Sequence, residues 1–209
     1  MVAILKNLFK RAEKFTTADG LVDFLSSRSA FVSQKCTYEY CRARSGLMWD
    51  KLMLEREFLD AMEICRWQAL ADVYADLAVL AEAWMRPSLQ DEAAKARIAD
   101  FLVARGRDFL ESFPEPAHRM GQGWGKEMAE LRTRLAAMQL AAPKAPQEVA
   151  HVAGNKVYDI MPIHTNFKNF DRELVVNSVR FQFVRVYEDM SQLGIRDQVV
   201  ADILHPAGA

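Results

Sequence analysis

The sequence predicts an all-α fold, an irregular multi-helix bundle of about six or seven helices around a long central helix. Apolar residues recur at spacings of three and four along most of the chain, which is the periodicity of amphipathic helices. Glycine and proline number only 9 and 7 among 209 residues, too few for a loop-rich scaffold. The apolar fraction of 51% is that of an ordinary globular protein, so the helices are expected to share a buried core.

Residues 1–15 are predicted to form an amphipathic helix, with basic residues on the side opposite its apolar stripe. A basic helix with an apolar face is typical of helices that lie in an anionic membrane surface or bind a partner protein. The same pattern also fits a terminal helix that packs on its own domain. The residues expected to contact a membrane or a partner are Ile4, Leu5, Lys6, Leu8, Phe9, Lys10, Arg11 and Lys14.

The longest helical signal covers residues 50–85, where we predict the central helix of the bundle. Its apolar stripe continues over many turns until Pro87 prevents further helix. Before it, we expect a short helix over residues 18–27 and a second helix that begins at Ser29 and ends at Gly46. This second helix carries two of the three cysteines.

Two more helices are predicted after the central one. Ser88 and Asp91 resemble a capping box that opens a helix, which Gly106 is expected to end before a second short piece reaches Phe113. After a glycine-rich stretch, helical periodicity resumes over residues 126–141.

The segment 142–156 has the composition of a linker, with two prolines, a glycine and few large apolar residues. It divides the chain into a helical bundle domain over residues 1–141 and a C-terminal helical extension, packed on the bundle, over residues 157–209. Within the extension, residues 157–164 are expected to be extended. A last short helix is expected over residues 197–204.

Residues 171–193 are ambiguous, because their valines favour a strand while their apolar spacing favours a helix. Because the apolar residues are three or four apart, we predict a helix. Asp171 is expected to cap its start and Gly194 its end. Phe181 and Val184 lie beside the main apolar stripe of this helix. The helix is therefore expected to be buried on more than one side, in the middle of the fold or in a homodimer contact.

No common catalytic signature is present: the Gly-x-Ser-x-Gly elbow, the phosphate-binding loop and the dinucleotide fingerprint are all absent. The cysteines Cys36, Cys41 and Cys65 fall in apolar helical contexts, so buried free thiols are predicted. The hypothesis of a cysteine nucleophile paired with His118 or His164 stays open, because the members of a catalytic triad need not be neighbours in sequence. No metal and no cofactor are predicted.

Two pairs of aspartates are spaced four residues apart, Asp72 with Asp76 and Asp19 with Asp23. The pattern resembles the paired aspartate motifs of head-to-head isoprenoid synthases, which are also all-helical. That resemblance covers these four residues only and implies a site for Mg²⁺ bound to a diphosphate. The alternative, which we favour, is that each pair lies on a solvent-exposed helix face.

Charge and composition limit the partners. The 27 basic and 28 acidic residues leave a formal net charge of −1, so no nucleic-acid partner is expected. No stretch approaches the ~20 apolar residues of a membrane span, and the interleaved N-terminal lysines do not fit a secretory signal. An odd number of helical cysteines favours a reducing compartment. The expected location is the cytoplasm, with peripheral attachment to the inner face of the membrane.

Two classes of function remain open. The first is a non-catalytic helical adaptor or assembly factor at the cytoplasmic membrane surface, whose partner is a protein or the anionic membrane itself. The second is a helical enzyme or carrier with an inter-helix pocket for a lipid-like or isoprenoid ligand. The amphipathic N-terminal pattern and the absence of catalytic motifs favour the first class.

Overall fold

The computed structural model describes residues 14–206, of which 81% are helical and none lies in a β-strand. The all-α prediction is confirmed. Within this range, no helix combines the length and apolarity needed to cross a membrane. The helices of nine residues or more are α1 Ala18–Gln34, α2 Arg56–Met85, α3 Glu92–Glu111, α4 Gly125–Gln139, α5 Pro146–Ile160, α6 Arg172–Leu193 and α7 Arg196–Leu204.

The predicted break at Ser29 is wrong, because α1 runs through this position without interruption. Ser29 is buried and its hydroxyl donates to the Leu25 carbonyl at 2.7 Å, so it is satisfied inside the helix and caps nothing. The helical path continues through a π-helical turn, Lys35–Glu39, and a short helix, Tyr40–Ser45. It stops at Gly46, as predicted, where a φ of 51° ends the helix.

The helix predicted over residues 1–15 does not include Phe15. This residue is extended: its amide donates to the Leu193 carbonyl and its carbonyl accepts from the Ile195 amide, each at 3.0 Å. Backbone pairing with the end of α6 replaces the last helical turn. Lys14 is exposed just before it. The rest of the predicted helix lies outside the described residues, so it stays a prediction.

The central position predicted for the long helix is confirmed. Every residue of α2 from Ala69 to Met85 is buried, because α1, α3, α4 and α5 all pack around it. Residues from all seven helices join a single hydrophobic core. The helix begins at Arg56 and not at residue 50, because a separate helical turn, Trp49–Leu52, ends before it and leaves Glu55 extended.

The predicted boundaries of α3 are wrong at both ends. Asp91, and not Ser88, is the N-cap, since its carboxylate accepts from the Ala94 amide at 2.7 Å. The helix also continues for more than a turn beyond Gly106. That glycine does not end the helix; it lies against the ring of Tyr74, where a β-carbon has no room.

Most of the segment predicted as a linker, residues 142–156, is helical, because α5 begins at Pro146. The extended conformation expected for residues 157–164 is wrong for its first part, which completes α5. A β-carbon on Gly154 would lie 3.0 Å from the Cα of Val176, so the backbones of α5 and α6 approach closely. Small residues permit this approach. The small residues that give this segment the composition of a linker instead allow α5 to pack closely on α6.

The helices predicted near the C-terminus, α6 and α7, are confirmed. Asp171 precedes α6, but its carboxylate does not cap the helix; it accepts hydrogen bonds from Tyr40 and Arg44. Burial of Phe181 in the middle of the fold is wrong, since this residue is 74% exposed in the single chain, while Val184 is half-buried. The homodimer contact at this face stays a prediction.

Candidate functional site

A cleft of about 810 Å³ lies between the end of α1, the first half of α2 and the loop that follows α3. We call it the α1–α2 cleft. Its walls come from residues between 30 and 38, between 59 and 70, and between 113 and 117. The large apolar side chains and the prolines that line it, which we call its floor, are Leu59, Met62, Trp67, Leu70, Phe113, Pro114 and Pro116.

The α1 wall of the cleft is shaped by the π-helical turn. Ser33 and Thr37 line it, and their hydroxyls donate to the carbonyls of Ala30 and Ser33 at 3.1 and 2.7 Å. These hydroxyls are therefore satisfied within their own helix. Tyr38 is held edge-on against Trp49, with ring centroids 4.8 Å apart. Single π turns of this kind are frequent at functional sites.

The loop wall is braced by Glu115. Its carboxylate accepts hydrogen bonds from the amides of Gly121 and Gly123, at 3.0 and 3.1 Å, and these bonds lower the pKa of Glu115. The two glycines have φ values of 78° and 57°, a left-handed conformation that other residues adopt only with strain. The glycine-rich stretch therefore fixes the position of the loop.

Trp67 forms the aromatic floor of the cleft. Its ring lies 5.5 Å from that of Phe113 and 6.3 Å from that of Trp124, measured between centroids. Only 8% of Trp67 is exposed, and its indole Nε1–H has no hydrogen-bond partner among the described residues. This nitrogen is itself buried, so the N–H does not open onto the cleft and offers no position for a ligand there.

Besides Glu115, two charged side chains line the cleft, Glu63 and Arg66, and both are exposed. Among residues 14–206, neither has an ion-pair partner within 4.0 Å. The guanidinium carbon of Arg66 is 5.1 Å from the centroid of the Trp67 ring, an arrangement that orients the cation over the aromatic floor. The lining of the cleft thus combines large apolar side chains with one cation, Arg66, and two carboxylates, Glu63 and Glu115.

The three cysteines are buried free thiols. Burial raises the pKa of Cys36 to about 11 and the pKa values of Cys41 and Cys65 to about 12. The thiols are therefore protonated at neutral pH, and a thiolate nucleophile is not favoured. Cys36 and Cys41 are both buried although they are five residues apart, because the π turn between them brings such positions to nearly the same face.

The solvent-exposed face expected for Asp72 and Asp76 is wrong, because both are buried. Asp72 accepts from the Lys156 ammonium at 2.8 Å, and Asp76 is paired with Arg134 and accepts from the Ala153 amide at 2.7 Å. These pairs occupy the carboxylates and fasten α4 and α5 to the central helix. The other two aspartates of the isoprenoid-synthase resemblance are exposed.

The Glu-x-x-His spacing of di-iron bundles occurs twice, at Glu115–His118 and Glu148–His151, so the sequence alone does not exclude that class of site. The structure gives each glutamate another role. Glu115 braces the loop, and Glu148 accepts from the Ala145 amide at 3.0 Å at the start of α5. In the described part of the chain, no three His, Cys, Asp or Glu residues are grouped to hold a metal ion.

Of the residues predicted to contact a membrane or a partner, Ile4, Leu5, Lys6, Leu8, Phe9, Lys10 and Arg11 lie outside the described residues, and Lys14 is exposed. The cleft is not predictable from any motif in the sequence, and its only local signal is the pair of prolines after α3. Comparison of the chain with protein-family models, with curated proteins and with solved structures finds no match. What the cleft binds must therefore be inferred from its own residues.

Proposed function

We propose that this protein is a non-catalytic binding protein that carries an apolar, lipid-like molecule in the α1–α2 cleft. The cleft itself supports this proposal, since its volume of about 810 Å³ falls within the range of small-molecule sites. Its floor consists of apolar side chains, and its three charged side chains, Glu63, Arg66 and Glu115, are exposed to solvent. Such a distribution suits a ligand that buries an apolar body and leaves one polar end near solvent.

A substitution that fills the cleft tests this function. Ala30 lines the cleft and is exposed, so Ala30→Trp would occupy the ligand volume without disturbing the core. We expect the neutral fluorescent probe N-phenylnaphthylamine to bind the protein and to bind the variant at least about tenfold more weakly, a loss of about 1.4 kcal/mol. Fluorescence titration measures both affinities.

The matched control is Ala104→Trp, which places the same side chain on the exposed surface of α3, away from the cleft. This variant should bind the probe as the unchanged protein does. Equal affinity of the probe for the Ala30→Trp variant, or no binding of the probe to any form, would contradict the proposal.

Membrane attachment through residues 1–14 is a second candidate function, in which the protein is an adaptor at an anionic surface. Its support is the sequence pattern, in which Lys6, Lys10, Arg11 and Lys14 are interleaved with apolar residues. Backbone pairing of Phe15 at the end of α6 fixes where this basic segment joins the domain. Each basic residue near an anionic surface contributes about 1 kcal/mol of binding. Insertion of Phe9 adds about 1.5–3 kcal/mol.

We expect the protein to co-sediment with vesicles that contain anionic lipid and to be released as the salt concentration rises. Phe9→Glu should abolish this binding, because it places a charge in the apolar face. Phe170→Glu is the matched control, since Phe170 is 97% exposed on the described surface. Equal vesicle binding of the two variants would exclude the N-terminal segment as the attachment site.

A further inference from the structure

We infer that this protein forms a homodimer in which the outward faces of two α6 helices pack against each other in antiparallel orientation. The partner is a second copy of the chain, related to the first by a two-fold axis that passes near Asn177. We call the outward surface of α6 around Leu174, Asn177 and Phe181 the α6 face. The inference goes beyond the proposed function, because no residue of α6 lines the α1–α2 cleft.

The α6 face carries large apolar side chains that nothing in the described structure covers. Leu174 and Phe181 are 60% and 74% exposed. They are seven residues apart, which is almost two full turns, so they lie on one line along the helix. Val184, one turn after Phe181, is half-buried beside this line. Apolar residues at this spacing form the seam along which two helices pack.

Two charged residues border this seam on one edge. Glu173 directly precedes Leu174, and Arg180 directly precedes Phe181, so the two charges are also seven residues apart. Neither of them has an ion-pair partner within 4.0 Å among residues 14–206. The Arg180 guanidinium donates to the Asn177 side chain at 3.2 Å, a bond that leaves its charge unneutralised. The α6 face therefore offers one acid and one cation, two turns apart, to a partner.

This pattern is complementary to itself in an antiparallel pair. Two-fold symmetry places Leu174 of each copy opposite Phe181 of the other. Because the charged edges of both helices then lie on the same side of the contact, Glu173 of each copy comes close to Arg180 of the other. Two equivalent ion pairs result. In a parallel pair, the charged edge of one helix would face the opposite edge of its partner, and these charges would not meet.

The other exposed charges of α6 do not oppose this pairing. Arg172 is already paired with Asp159, at 2.8 Å. Arg185 and Glu188 lie in the C-terminal half of α6, which faces the N-terminal half of the partner in an antiparallel contact. The two copies of each of these residues therefore stay apart, and no like charges are brought together.

Sedimentation equilibrium of the full-length protein measures the dimer. The contact is a single helix face, below the ~1,200 Å² of the smaller stable interfaces, so we expect a dissociation constant of about 10–100 μM. Phe181→Glu should weaken the dimer by at least about tenfold, because it places a charge in the seam. Glu173→Arg and Arg180→Glu should each weaken it by about fivefold, because each brings like charges together at two equivalent positions.

The charge swap supplies its own control. The double variant with Glu173→Arg and Arg180→Glu should regain the dissociation constant of the unchanged protein, because the two ion pairs form again with their signs reversed. Arg107→Glu, at an exposed position on α3, changes the net charge as Arg180→Glu does and should leave the dimer unchanged.

Engineered cysteines test the orientation of the helices. Asn177→Cys lies next to the two-fold axis, so mild oxidation should join two copies by a disulfide. Glu188→Cys should not crosslink, because two copies of position 188 would be about 30 Å apart along the antiparallel pair. The native cysteines do not compete, since all three are buried.

Three results would overturn the inference. The first is a protein that stays monomeric at about 200 μM. The second is a dimer that Phe181→Glu leaves unchanged, since its contact would lie elsewhere. The third is crosslinking of both cysteine variants, or a double charge variant that fails to regain the dimer, since either result would contradict the antiparallel pairing of Glu173 with Arg180.

Discussion

Replacing Arg134 with methionine is expected to destabilise the protein by about 3 kcal/mol at pH 8, because the change leaves a buried charge without its partner. Asp76 is fully buried in the central helix, and Arg134 on α4 is the cation paired with it. The Ala153 amide donates to the same carboxylate at 2.7 Å. Methionine keeps much of the length and apolar volume of the arginine stem, so the loss reports mainly the charge.

The loss should depend on pH in a defined direction. Burial raises the pKa of Asp76 to about 6, although Arg134 lowers it. An unfolded Asp titrates near ~3.9, so between these pH values the folded protein holds the extra proton and the site's contribution to stability declines as pH rises. Without Arg134 the pKa of Asp76 rises further. The penalty of Arg134→Met is therefore full above this higher pKa and shrinks as pH falls to 5.

Urea denaturation of both proteins at pH 8 and pH 5 measures this penalty. Arg132→Met is the control, because Arg132 lies on the same helix and pairs with Asp100 in solvent. Exposed pairs of this kind contribute about 0–1 kcal/mol, with little change between these pH values. If Arg134→Met and Arg132→Met cost the same, the buried pair does not hold α4 in place.

The buried acids of α2 explain why part of the fold could not be predicted. Asp72, Asp76 and Glu82 are all buried on the central helix. Charged residues at regular spacing normally indicate a solvent-exposed face, and this assumption failed here. The cations that neutralise the first two, Lys156 and Arg134, come from α5 and α4, more than fifty residues away in sequence. Periodicity within one helix does not reveal such partners.

The arrangement suggests what these pairs do. Asp72 and Asp76 each meet a cation from another helix, whereas Glu82 pairs with Arg86 one turn further along the chain. Buried ion pairs add little net stability, because desolvation offsets most of their attraction. Their best-supported role is to fix the register of packed elements, and we infer that the pairs of Asp76 and Asp72 do so for α4 and α5 on α2.

Local signals predicted α6 and α7 well, because the apolar spacing that identifies each helix lies within that helix. α5 was predicted as a linker because its small residues, which permit close packing on α6, resemble those of a flexible segment. The cleft was not predictable for a related reason. Its walls come from three segments, and one wall contains a π turn that sequence periodicity does not reveal.

The second large effect is expected at Gly106, in the interior of α3. Replacing a helix-interior glycine with alanine usually stabilises a protein by about 0.5–1 kcal/mol. At Gly106 the sign should be reversed, because the new β-carbon would lie 2.3 Å from the Cε1 atom of Tyr74. The Tyr74 ring is almost fully buried, and its hydroxyl donates to the Leu102 carbonyl at 3.0 Å, so the ring has no free space to occupy.

We expect Gly106→Ala to destabilise the protein by about 2–3 kcal/mol, measured by urea denaturation. Gly125→Ala, at the start of α4, is the control, because a β-carbon there meets nothing within 4 Å. It should leave stability unchanged or raise it by up to about 1 kcal/mol. Tyr74→Leu removes the ring that causes the conflict, so the loss from Gly106→Ala should be smaller in that background than in the unchanged protein. Strictly additive losses would show that the contact with Tyr74 is not the reason for glycine at this position.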